Sequence, residues 1–377
     1  MINVKTYKVF EAESELLTPE QIEWLNECCK RSWTLNAEGL VDIKGNFDCY
    51  KWGSEYKISD FKGIRFGTCR GSFSCTHQNL KSLDGAPHTV WGNFNCSDNK
   101  ITTLEGGPQL VGGDFDCSYN RLTSLKGAPQ EVDDDFSCIN NNLTSLEGAP
   151  QEVGGRFLCY RNKLKSLKGA PAKILGGFDC TNNELETLEG APNQVGGSFS
   201  CYENKLTTLR GAPNRVGGDF VCYQNSLISL EGAPEVVSSD FNCSDNKISS
   251  LEGAPKVVSS DFNCSNNKLT DLRGAPNKVG EDFDCSNNMI SSLEGAPREI
   301  GGGISCEGNK MPAVTITRIL KLMNGEQSYP EVMQSVWRGL KPDIKTTMYQ
   351  PSFDWLSPEE HKKWSSAQKY QSIKDFI

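Results

Sequence analysis

The sequence predicts an α/β repeat, mainly β, solenoid built from short parallel strands, and three observations carry that prediction. Cysteines recur every 21 residues without a slip at Cys75, Cys96, Cys117, Cys138, Cys159, Cys180, Cys201, Cys222, Cys243, Cys264, Cys285 and Cys306. A phenylalanine stands two residues before each from Phe73 to Phe283, with Ile304 in the last copy. An asparagine stands three after each from Asn99 to Asn309, with Gln78 in the first. A fixed period of about 20–29 residues marks an architecture in which every copy adds one coil.

Each column has a physical reading. Phe and Cys are two apart, so they point to the same, interior side of a short strand. Stacked copies put strands about 4.8 Å apart, so the rows from Phe73 to Ile304 span on the order of 50 Å. The Asn follows the strand where the chain must turn, and a buried amide there satisfies backbone groups. Leucines such as Leu164 and Leu167 come next, then Gly169, Ala170, Pro171 and Ile174 of the same copy. Glycine permits an unusual backbone and proline fixes φ at the opposite edge. Phe178 follows only seven positions after Pro171, too few for a helix, so the convex segments are expected to be extended or 3₁₀-like.

The core F-x-C-x-x-N-x-L-x-x-L resembles the L-x-L-x-x-N-x-L pattern of leucine-rich-repeat proteins, from roughly Ile64 to Met311. Its short convex segment is similar to the 20-residue class of secreted effectors of enteric pathogens. The LEGAP and VGGDFDC wording is closer to uncharacterised LEGAP-repeat proteins of tailed phages and bacteria. Departures are one extra residue per repeat, the Phe, and Gly-Ala-Pro where the effector class has Leu-Pro. The resemblance implies a leucine-rich-repeat array whose concave strand face captures proteins.

A solenoid exposes apolar faces at both ends and needs atypical terminal units. Residues 1–42 are expected to form an N-terminal helical cap. Thr18 is the N-cap there, Pro19 opens the helix, Gln21 completes a capping box, and Ile22, Leu25 and Cys29 share one face. Residues 43–312 form the array, beginning with a degenerate strand at Ile43–Cys49. Its successor at Phe73 follows after 26 residues, an insertion of five. Residues 313–377 are expected to form a C-terminal helical cap. Its helices fall around Thr315–Met323, Pro330–Leu340 and Pro358–Phe376, with Trp337, Trp355, Trp364, Tyr370 and Phe376 to cover the end.

Composition narrows the function. A net charge of -9 argues against a general nucleic-acid binder. No signal peptide and no membrane-length apolar stretch is visible, so a cytoplasmic protein is expected, in the host cytoplasm if phage-encoded. The cysteine ladder tempts a metal or disulfide reading. There is no C-x-x-C pair, however, and only His77, His88 and His361 are present, so buried free thiols are expected. No P-loop, dinucleotide fingerprint or Ser/His/Asp set appears. The effectors that the repeat resembles can carry a cysteine-dependent ubiquitin ligase, but no cysteine follows Cys306. Neither an enzyme nor a cofactor or metal site is expected, and the sequence does not speak to oligomeric state.

Function is then sought on the surface columns: the residue before each Phe, the one between Phe and Cys, and the one after Cys. Most hold Asp, Ser or Asn. Asp114, Asp135, Asp219, Asp240, Asp261 and Asp282 fill the first, and Asp116, Asp179 and Asp284 part of the second. These read as solvated edges, with cation binding or phosphate mimicry as the alternatives. Glu105, Lys126, Glu147, Lys168, Glu189, Arg210 and Glu231 alternate in sign and read as support for stacking. Lys100, Arg121, Lys163, Lys205, Lys247, Lys268 and Lys310 form a basic edge beside the Asn column.

The middle rows differ. Ile139, Leu158, Tyr160, Tyr202, Val221 and Tyr223 are apolar or aromatic at outward positions, with Arg156 and Arg161 beside them. At the strand spacing they make a patch about 20 Å long, with a notch at Thr181 between Tyr160 and Tyr202. Contiguous exposed aromatics and arginine are what binding centres use. The expected function is a non-catalytic scaffold that captures a protein partner on its concave face, such as a phage-encoded modulator of a host protein. Alternatives are a structural virion or assembly component, and binding of a small ligand or nucleotide signal.

Overall fold

The structure, a computed structural model, describes residues 16–50 and 57–311. The expected C-terminal cap lies outside these residues. The chain divides into two compact units: one runs to Lys205 and includes Gly211–Pro213, the other comprises Leu206–Arg210 and the residues from Asn214 onward.

The first unit opens with helix α1, Pro19–Cys29. The Thr18 hydroxyl accepts from Gln21 N at 3.2 Å, and Thr18 N donates to Gln21 Oε1 at 2.7 Å, so both arms of the capping box form. The helix buries Trp24, Leu25, Cys28 and Cys29. Ile22, expected on that face, is only half-buried. Trp24 takes the core position instead, with its ring edge-on to Phe47 at 5.5 Å. A short antiparallel pair that the sequence did not signal follows: β1 (Trp33–Leu35) with β2 (Val41–Ile43).

The parallel stack starts here. Strand β3 (Phe47–Asp48) pairs with β5 (Phe73–Ser74) at an offset of Phe47 to Phe73, and β2 pairs with β4 (Phe66–Cys69) through a register shift. From Phe73 to Phe199 in the first unit the coils pair in register. Phe136, Phe157 and Phe178 face one another across neighbouring strands. The convex segment is extended, as expected, and it pairs as well. Glu131, Glu152 and Lys173 lie in register, with Val132, Val153 and Ile174 beside them. Each coil therefore contributes two two-residue strands, one to each of two parallel ladders.

Glycines make the close coil spacing feasible. A Cβ on Gly169, at φ +89°, would lie 2.6 Å from Glu147 N and 2.7 Å from Leu146 C in the coil below. The Gly-Ala-Pro corner thus needs both the left-handed backbone and the absence of a side chain.

Between the ladders the core is layered. Phe rings stack at 5.2 Å from Phe115 to Phe136 and again to Phe157, within 5° of parallel. The cysteines, Leu164, Leu167 and Val153 are buried around them. All the described cysteines are free thiols. Burial pushes Cys29 and Cys69 up to about 11 and Cys49 up to about 12, so the thiolate is disfavoured.

The asparagine column closes the turn. Asn162 Nδ2 donates to the carbonyls of Cys138 at 3.1 Å, Cys159 at 3.0 Å and Tyr160 at 3.4 Å, while its Oδ1 accepts from Leu143 N at 3.0 Å. One side chain thereby satisfies backbone groups of two successive coils.

The second unit repeats this construction. Phe220, Phe241, Phe262 and Phe283 stack at 5.3–5.6 Å, and Ile304 ends the row in register with Phe283. Both units are parallel-strand solenoids.

Candidate functional site

The outer face of the Phe-strand ladder has its own local rules, and most of its polar residues work for the fold. The column before Phe is a hydrogen-bonded ladder. Asp135 N donates to Asp114 Oδ1 at 3.1 Å and Arg156 N to Asp135 Oδ1 at 2.7 Å. In the second unit Asp240, Asp261 and Asp282 each donate a backbone N–H to the carboxylate one coil back, at 3.3, 3.1 and 2.8 Å. Each side chain takes the N–H that the turn between the two ladders leaves unpaired. Among the described residues no group of three or more His, Cys, Asp or Glu is placed to hold a metal ion.

The column between Phe and Cys makes an Asx turn. Asp116 Oδ1 accepts from Ser118 N, Asp179 Oδ1 from Thr181 N and Asp284 Oδ1 from Ser286 N, each at 2.9 Å. Asn95, Asn242 and Asn263 do the same for Ser97, Ser244 and Ser265. The residue after Cys is therefore tucked in. Ser97, Ser118, Thr181, Ser244, Ser265 and Ser286 are all buried. The next residue is held left-handed, with φ between 50° and 56° from His77 through Asn287. That conformation favours Asn and Asp among side-chain-bearing residues.

Against these rules the middle rows of the first unit stand out. Leu158 has no oxygen to accept from the backbone of Tyr160. Tyr160 and Tyr202 replace the tucked hydroxyls and are half-buried rather than buried. Arg161 is exposed and carries the left-handed backbone at φ 56°.

Two of the expected site residues need correction. Ile139 is buried, 8 % exposed, because the column after Cys turns into the ladder; it supports the face from beneath. Arg156 is tied to Asp135, with Nε at 3.0 Å and Nη2 at 2.8 Å from Oδ2. Burial pushes the Asp135 carboxyl up, but the Arg156 bonds outweigh it and hold the group below its ordinary range. Arg156 thus completes the Asp ladder at a rung where the carboxylate ends. Val221 and Tyr223 are half-buried and belong to the second unit.

Tyr119 was not among the expected residues. It sits at the left-handed position in place of Asn and is 43 % exposed. The wording FDCSYN carried the signal, but the position's outward aspect follows only from the backbone. Burial raises the Tyr160 phenol, Tyr119, Asp179 and Tyr202 add to the rise, and Arg161 opposes it. Those four side chains, on the rungs from Cys117 to Cys201, are therefore close enough to act on the Tyr160 phenol.

The alternating charge column is paired in part. Lys126 bridges Glu105 at 2.7 Å and Arg210 bridges Glu231 at 2.6 Å, whereas Arg273 turns to Asp271 at 2.8 Å. No helix among the described residues is long and apolar enough to cross a membrane.

No family model matches the sequence, and no curated protein matches it. Among solved structures the chain is similar to YopM from Yersinia enterocolitica, 17 % identical over 82 % of this chain and 87 % of that one, with a TM-score of 0.39. It is also similar to YopM of Yersinia pestis, described as a leucine-rich effector protein, 18 % identical over 81 % of this chain and 88 % of that one, with a TM-score of 0.45.

Proposed function

We propose that the protein is a non-catalytic scaffold that captures a protein partner on the outer face of its Phe-strand ladder. The observation that carries this reading is local. On rungs where the fold has a polar, hydrogen-bonding solution in hand, the first unit substitutes Leu158, Tyr160 and Tyr202, and adds Tyr119 and Arg161 beside them. Half-exposed aromatics with an arginine are the composition of interface centres. Val221 and Tyr223 carry the same type of substitution in the second unit. The LEGAP-repeat wording favours a phage-encoded modulator of a host protein as the setting.

Affinity purification of the full chain from its native host, with mass spectrometry, tests the reading. The comparison is wild type against Tyr160→Ser/Tyr202→Ser/Tyr223→Ser, since serine fills the same position on other rungs. At least a tenfold loss of one recovered protein is expected. Undiminished recovery of every partner would remove this face from consideration.

A further inference from the structure

Within that face Asp179 is out of keeping with its surroundings. Its Oδ1 accepts from Thr181 N at 2.9 Å, a task that Asn95, Asn242 and Asn263 perform without charge at the equivalent position. A neutral oxygen serves this turn, so the turn does not call for an anion. Asp179 lies in register with Leu158 on one side and Ser200 on the other, and is half-buried. Two residues further along the flanking strands stand Tyr160 and Tyr202, on rungs about 4.8 Å to either side.

No cation is paired with this carboxylate among the described residues, in contrast to Asp135 with Arg156. Burial raises its carboxyl, opposed first by the Thr181 side chain and then by the Thr181 N–H. A half-buried anion with a tyrosine two residues along on each flanking rung, one of them close enough to feel its charge, is complementary to an ammonium or guanidinium group. The carboxylate supplies the charge, and ring faces supply a cation–π surface in a partly dry setting.

We infer that Asp179, Tyr160 and Tyr202 form a subsite for a cationic side chain, lysine or arginine, of the protein partner. The inference rests on the protein-binding reading above and gives it a chemistry: the captured segment presents a cation at this point, with apolar contacts to Leu158 and Tyr119 alongside. Arg161 is an internal competitor, since its charge is felt at Tyr160.

The test uses the full chain with labelled tyrosine rings, titrated by NMR with N-acetyl-lysine amide, N-acetyl-arginine amide and N-acetyl-norleucine amide. Saturable shifts of the Tyr160 and Tyr202 rings are expected with the two cations, and at least tenfold weaker ones with norleucine. Asp179→Asn keeps the Asx oxygen and should weaken cation binding at least tenfold with the rest of the spectrum unchanged. Cation binding should also fade on acidification at a pH above the ordinary carboxylate range, because the anion is the binding form.

Equal response to norleucine, equal response in Asp179→Asn, or no response to either cation would overturn the subsite. So would binding seen only in Arg161→Gln, which would place Arg161 in the carboxylate's grip. None of these outcomes depends on the partner, so the purification experiment can fail or succeed independently.

Discussion

The Cys159 rung and the Cys285 rung share one backbone and differ in what they show to solvent. In FDCSNN, Asp284 caps Ser286 N, the serine is buried, Asn287 accepts the left-handed turn at φ 52°, and Asn288 bonds Cys264, Cys285 and Ser286 carbonyls at 3.0–3.1 Å. In FLCYRN the Phe, Cys and final Asn keep their roles, but the three residues between them give up the Asx oxygen, the tucked hydroxyl and the turn-favouring side chain. The contrast teaches that these positions are not free surface. Each does a small structural task in the commoner wording, so the departure at Cys159 is made at a local cost.

The shared part of the comparison breaks first and hardest. Asn162→Ala strands Leu143 N–H and removes a donor from the Cys138, Cys159 and Tyr160 carbonyls. The unmet Leu143 N–H costs about 1–3 kcal/mol, and the three carbonyls each keep another donor, so a loss of roughly 2–3 kcal/mol is expected in urea unfolding. Asn288→Ala should cost as much. A much smaller loss at Asn162 would mean that the Cys159 rung is not held by the same ladder.

The divergent part is sharpened by restoring the commoner residue. Leu158→Asn returns an acceptor to Tyr160 N, as Asn242 provides for Ser244 at 3.0 Å. Stability should rise by about 0.5 kcal/mol, while recovery of the partner falls. A gain in stability set against a loss of binding is the usual signature of a position shaped by function. If instead the urea midpoint drops, Leu158 is needed for packing and the case for a binding patch weakens.

How far this could be read in advance differs between the two parts. The Phe, Cys, Asn and Gly columns are legible because a period of 21 exposes any position whose chemistry the coil requires. Their alternation, burial and turn roles follow from two-residue spacing and backbone demand. The second ladder at Val153 was not legible, because two-residue strands leave too short a pattern to tell from extended chain. On the outer face, apolar character pointed to Leu158, Tyr160 and Tyr202. Only the backbone separates Ile139, turned inward, from Tyr119, turned outward one position later. Arg156 reads in the sequence as a positive charge beside the patch, and its bonds to Asp135 Oδ2 follow only from the structure.

The smallest effect separates the two units by charge. In the first, Asp135 is held below its ordinary range, so its contribution is present above the unfolded-state pKa and is lost as pH falls through the depressed folded value. In the second, Asp261 is raised, first by burial and then by Asp240, Asp282 and Glu281, although Asp282 N opposes the rise. A raised carboxyl favours its protonated form in the fold. Its contribution is therefore present below the unfolded pKa and is lost as pH rises through the folded one. Asp261→Asn retains an acceptor of the kind Asn93 offers Asp114 N at 3.1 Å. At pH 7 it should stabilise, by on the order of 0.3 kcal/mol after solvent screening, with the gain vanishing toward pH 3. Asp135→Asn should destabilise at pH 7, and that loss should also shrink in acid. Shifts of the same sign in both variants would show that the ladders depend on their oxygens alone, and that Arg156 adds nothing by its charge.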